Sequence, residues 1–185
     1  MQNLVEITKQ DFGVILDLRY ATANNVCGVK LYRKPVCYLH QDAAKNLKTA
    51  IATAKNLGLK IKIFDGFRPI EVQQFMFNKF PGDFVSDPKT GAIPHCRGVA
   101  VDLTLCDENE NELEMGSDFD EFSDLAFHNC QKISLEANRN RLLLLGLMTA
   151  AGFDFYSKEW WHYQLFRPRE YSIVQNLHIH QKTLQ

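Results

Sequence analysis

The residue pattern predicts an α+β fold, with a small, mostly antiparallel sheet flanked by helices. Three observations carry this. Residues 41–57 and 138–151 repeat apolar side chains at helical spacing. Residues 59–64 and 99–105 alternate instead, with the two-residue period of a strand. Helical and strand patterns are mixed along the chain with no steady βαβ rhythm, which disfavours a parallel α/β sheet. The 185 residues suit a single domain spanning 1–185, long enough to bury a core without disulfide staples.

Taken in order, residues 4–7 read as a short strand and 14–18 as a second. A polar loop with a glycine follows at 19–28, and Tyr20 and Tyr32 are candidates to face a pocket there. The helix at 41–57 carries Ala43, Ala44, Leu47, Ala50, Ile51 and Ala54 along one stripe, and Gly58 sits where a helix stops. The strand at 59–64 runs into Asp65-Gly66-Phe67-Arg68-Pro69. Pro69 suits the first turn of a helix over 70–80, so Arg68 falls at a strand-to-helix turn.

Residues 81–94 hold three prolines and two glycines and read as a loop, a candidate lid. In the strand at 99–105, Val99, Val101, Leu103 and Leu105 share one face, and Ala100, Asp102 and Thr104 the other. Residues 106–113 are acidic and suit a hairpin tip, and 115–120 form another loop. A weak helix or irregular stretch follows at 122–133. The helix at 138–151 is apolar on most sides and is expected to be the central buried one. Residues 153–155 and 160–166 suggest a hairpin.

The net charge of −1 gives no reason to expect nucleic acid or an anionic membrane as partner. The longest apolar run, at 142–148, falls far short of the roughly 20 residues that span a bilayer. The first residues carry no basic patch followed by an apolar run, so a cytoplasmic enzyme or binding domain is expected, with no obligate protein partner. Five scattered cysteines without a CxxC spacing argue against a disulfide framework and a cysteine-only zinc site.

Two stretches carry chemistry: 93–102, with His95, Gly98 and Asp102, and Glu159-Trp160-Trp161-His162. Two imidazoles and one carboxylate, with a fourth position for water, make the donor set of a catalytic zinc site. Asp102 lies amid Val99, Val101, Leu103 and Leu105, where an unpaired carboxylate is costly. Seven residues apart on a straight strand, His95 and Asp102 point oppositely, but Gly98 can bend the chain so that they converge. Glu159 and His162 likewise need a turn between them. Glu159 is then placed to move a proton and Arg68 to steady an oxyanion. The competing account pairs Asp102 with Arg97 or Arg68 and leaves both tryptophans as core. His40, His128, His178 and His180 read as structural, although His178-x-His180 has a chelating spacing.

The stretch 95–102 resembles the HxxGxAxD core of zinc D-Ala-D-Ala peptidases related to the hedgehog signalling domain. Residues 159–162 resemble the ExWH motif of VanX-type D-alanyl-D-alanine dipeptidases. The segments at 17–25, 65–69, 102–105 and 115–120 resemble that family in its order, so the likeness runs from about Asp17 to Arg167. It implies one zinc ion per chain on His95, Asp102 and His162, with Glu159 as catalytic base and Arg68 stabilising the transition state. It further implies that Asp120 receives the free amine of a small dipeptide, with Tyr20 nearby and Tyr32 also at the pocket. Where the family has serine two residues before the first histidine, this chain has Ile93. The activity implied is hydrolysis of D-alanyl-D-alanine or a close relative. The alternatives are a carboxypeptidase trimming peptidoglycan peptides and a non-catalytic zinc-binding domain. Glu159 and Arg68 speak against the last, since binding alone requires neither.

Overall fold

The computed structural model describes residues 3–175, so His178 and His180 lie outside the described residues. The elements run β1 (Leu4–Ile7), α1 (Lys9–Phe12), β2 (Ile15–Leu16), β3 (Cys37–His40), α2 (Gln41–Asn56), β4 (Lys60–Asp65), α3 (Ile70–Lys79), β5 (Ala100–Cys106), α4 (Leu135–Ala150), β6 (Asp154–Phe155) and β7 (His162–Gln164). β1 and β3 form an antiparallel pair. The main sheet has the order β2-β4-β5-β7-β6, antiparallel throughout except where β2 runs parallel to β4. The class is therefore the α+β expected.

Local chemistry sets the helix ends. α2 starts at His40, whose Nδ1 accepts the Asp42 N–H, and stops where Gly58 turns left-handed. α4 starts at Ser134, whose hydroxyl accepts the Ala137 N–H at 3.0 Å. That cap lies N-terminal to the apolar run, so the helix begins earlier than its hydrophobic pattern. Nor is α4 the central buried element. Ala137, Leu144, Leu147 and Met148 face the core, but Leu135 and Leu142 are each 66% exposed. The apolar composition of 142–148 hid an ordinary two-sided helix. β5 takes the central place, with all seven residues buried between β4 and β7.

Other differences are smaller. The strand at 14–18 shrinks to two ladder residues, and 122–133 contains only a single 3₁₀ turn at Asp124–Ala126. β3 and α1 carry too few residues to announce themselves by period. Among the described residues, no helix is long and apolar enough to cross a membrane. All five cysteines are buried free thiols.

Candidate active site

Gly98 builds the first half of the site. It adopts φ +70°, and a Cβ there would stand 2.7 Å from Leu4 Cδ2 and 3.1 Å from the His40 nitrogen. Just before it, His95–Arg97 make one 3₁₀ turn. Turn and glycine together fold the chain back, so His95 Nε2 lies 3.2 Å from Asp102 Oδ1. The second half arises from another turn, in which the His162 N–H donates to the Glu159 carbonyl. β7 then pairs with β5 so that His162 stands opposite Asp102. His162 Nδ1 lies 3.1 Å from both His95 Nε2 and Asp102 Oδ1.

The outer partners fix which ring atoms face inward. His95 Nδ1 meets the Gly66 carbonyl at 2.7 Å, and a carbonyl can only accept, so that nitrogen carries the proton. His162 Nε2 meets Gln164 Oε1 at 3.1 Å and donates likewise. With both rings neutral, as metal ligands must be, His95 Nε2 and His162 Nδ1 present lone pairs to each other and to a carboxylate oxygen. Without a cation a proton takes its place, since burial opposes charge on His162 but the hydrogen bond to Asp102 raises its pKa nonetheless. Three buried acceptors in contact call for a shared cation. Donors bound about 2.0–2.1 Å from a tetrahedral ion stand about 3.3 Å apart, close to the triangle found here. The outer carbonyls that orient the rings are of the kind that orient metal-binding histidines generally.

Glu159 Oε2 lies 3.7 Å from His162 Nδ1, and burial pushes the Glu159 carboxyl up to about 8 against the pull of His162. Burial works against charge on Asp102 too, but His95 and His162 overcome it and hold this carboxyl below its ordinary range. A bulge in β4 after Ile63 sets Asp65 opposite Asp102. Asp65 Oδ2 grips Arg68 through Nε at 3.0 Å and Nη2 at 2.9 Å, which leaves Arg68 Nη2 3.6 Å from Asp102 Oδ2. Arg97 turns away and donates to the carbonyls of Ala92 and Tyr171, so it does not pair with Asp102.

Asp120 lines the same pocket. It accepts the Tyr20 hydroxyl at 2.8 Å and the Val26 N–H at 3.1 Å. Burial pushes it up to about 7, with those two hydrogen bonds opposing. Its φ of +65° is one that aspartate tolerates better than most residues. Arg141 holds the surrounding segment in place by donating to the carbonyls of Met115, Leu125 and Phe127. Tyr20 lines the pocket, whereas Tyr32 stands a layer behind it and donates to Asp65 Oδ1 at 2.8 Å.

A family model described as D-ala-D-ala dipeptidase (Peptidase_M15) matches residues 2–181. The chain belongs to this dipeptidase family. Among curated relatives, the D-alanyl-D-alanine dipeptidase of Escherichia coli K12 is 38% identical over 160 residues, covering 86% of this chain and 82% of that protein. The enzymes of that name from Enterococcus faecium and Streptomyces coelicolor are each 30% identical, covering 83% of this chain and 86% of theirs. The protein is therefore an enzyme of a peptidase family.

One residue of the pocket wall of this dipeptidase-family chain stands out. Ile93, placed where the resemblance expects serine, is buried at φ +44°. A β-branched residue in that region is strained, and strain of this kind gathers at functional sites. The candidate lid at 81–94 forms the roof and is tied down. Tyr156 donates to the Asp83 carbonyl at 3.0 Å, Gln73 to Ser86 at 2.8 Å and Arg169 to Thr90 at 2.6 Å. Reasoning from sequence gave no role to Asp65, Gln73 or Gln164. Asp65 stood inside a quoted motif, and Gln164 lies two residues past His162, on the same strand face. Gln73 left no signal.

Proposed function

We propose that this enzyme hydrolyses D-alanyl-D-alanine, or a closely related D,D-dipeptide, with one zinc ion per chain held by His95, Asp102 and His162. The observation that carries the reading is the convergence of those three acceptors beside a fourth carboxylate, Glu159. A bound zinc ion supplies a Lewis acid that lowers the pKa of water and polarises a carbonyl. Glu159 takes the proton from the attacking water and returns it to the leaving amine. Arg68, held by Asp65, donates to the oxyanion as the carbonyl carbon becomes tetrahedral. Asp120 and Tyr20 receive the substrate's free α-amine, and Tyr32 supports the pocket from behind through Asp65 and through Tyr20, whose ring it meets edge-on. The whole chemistry sits within one domain. Five buried thiols suit a reducing compartment, so we assign the reaction to the cytoplasm.

A panel of dipeptides, assayed by amine release with and without chelator, tests the reading. D-Ala-D-Ala is expected to be cleaved, and chelator to stop it. N-acetyl-D-Ala-D-Ala leaves buried Asp120 without its cationic partner, which costs about 1–3 kcal/mol and lowers kcat/KM by about 5- to 150-fold. Equal rates on the free and acetylated dipeptides would instead point to the carboxypeptidase. Because Ile93 gives the wall an apolar side chain where the resemblance implies serine, the panel includes D,D-dipeptides with larger apolar C-terminal residues.

A further inference from the structure

Arg68 is gripped from two sides. Asp65 fixes the Nε and Nη2 edge of its guanidinium, and Gln73 Oε1 accepts from Nη1 at 3.1 Å. The guanidinium carbon also lies 4.9 Å above the Tyr20 ring. Gln73 sits in the first turn of α3, 3% exposed, and its Nε2 donates to the Ser86 carbonyl at 2.8 Å. Ser86 belongs to the roof, whose Phe84, Ser86 and Ile93 line the pocket. One buried amide thus joins the arginine to the segment that covers it.

Its orientation is unique. Arginine can only donate and a carbonyl can only accept, so the amide oxygen must face Arg68 and the amide nitrogen Ser86. Other ties of the roof do not involve Arg68: Tyr156 and Lys158 hold Asp83, Arg97 holds Ala92 and Arg169 holds Thr90. Methionine fills a similar volume but makes neither contact. Glutamate keeps the acceptor for Arg68 and has no hydrogen for Ser86 when ionised.

We propose that Gln73 is a positioning residue that couples the seating of the 81–94 roof to the aim of Arg68. Seating the roof over a dipeptide and aiming the arginine at the developing oxyanion are then one event. This rests on the role given to Arg68 above, and two separate readouts keep the claims apart.

The experiment measures kcat and KM for D-Ala-D-Ala and amide hydrogen exchange over residues 83–91, in zinc-loaded protein. The variants are Gln73→Met, Gln73→Glu, Arg68→Ala and the double variant Gln73→Met/Arg68→Ala. Losing a hydrogen bond to a charged group that must be aimed is expected to lower kcat by about 10-fold in Gln73→Met, with faster exchange of the roof. Gln73→Glu keeps kcat within about 3-fold yet raises KM and roof exchange, because only the roof contact is lost. In the Arg68→Ala background, Gln73→Met has no further effect on kcat. Wild-type kcat in Gln73→Met, alongside an impaired Arg68→Ala, overturns the proposal. So does unchanged roof exchange, or a full additive loss in the double variant. Unimpaired Arg68→Ala refutes the role of Arg68 itself. Where Gln73→Met does not fold, the split between KM and kcat in Gln73→Glu decides.

Discussion

At His95, Asp102 and His162 three acceptors stand 3.1–3.2 Å apart in a buried pocket, an arrangement that favours any cation able to bridge them. Replacing Glu159 or Arg68 by alanine leaves that triangle whole. Each variant should therefore keep its metal and lose turnover, by about 10²- to 10⁴-fold for the proton-transfer group, as metal analysis and steady-state rates would show. A Glu159→Ala enzyme with near-normal kcat would remove the base from the mechanism. Asp120 gives a pH prediction. Burial raises its pKa from 3.8 to about 7, so the folded chain holds a proton that the unfolded chain releases. Its stabilising contribution is fully present below about pH 4 and is lost as pH rises through about 7. Asp120→Asn escapes this loss and tolerates the same φ. Its advantage over wild type in urea unfolding should grow between those limits and then level off; parallel stability curves would contradict the assignment. The ionisable trio was legible in the sequence because carboxylates and imidazoles among apolar residues need partners. Gln73 and Gln164 were not, because an uncharged amide advertises nothing until its partners are known.

The turns that gather these side chains belong to the scale of elements. Gly98 was readable as a residue able to make the bend, because no straight strand brings residues seven apart together. Alanine there would hold φ +70° against preference and drive a Cβ towards Leu4 and the His40 backbone. Gly98→Ala should cost about 1–3 kcal/mol in urea unfolding and lower zinc occupancy, since His95 rides on the turn. Unchanged occupancy would show that the turn does not set the ligand. The turn before β7 was legible for a similar reason, from the odd spacing of Glu159 and His162. The β4 bulge was not read: the alternation of Lys60–Ile63 breaks at the adjacent apolar pair Ile63-Phe64, but only the pairing with β5 shows that Phe64 is the extra residue. α4 misled because seven apolar residues in a row conceal which face is covered; Leu142 points outward while Leu144 is buried.

Across the whole molecule, the sheet brings β5 and β7 side by side, α3 carries Gln73 up to the roof, and Arg141 anchors the Asp120 segment from α4. The fold class followed from mixed periods, but the strand order did not, because long-range pairing leaves no local pattern. The central claim is that the pocket hydrolyses a small D,D-dipeptide only with a metal on this trio. A zinc titration of chelator-stripped protein, with D-Ala-D-Ala turnover as the readout, tests it most directly. Turnover should start near zero, rise linearly and level off at about one zinc per chain, as three protein ligands and an open position require. Full turnover in stripped protein, unaffected by added zinc, would contradict the account.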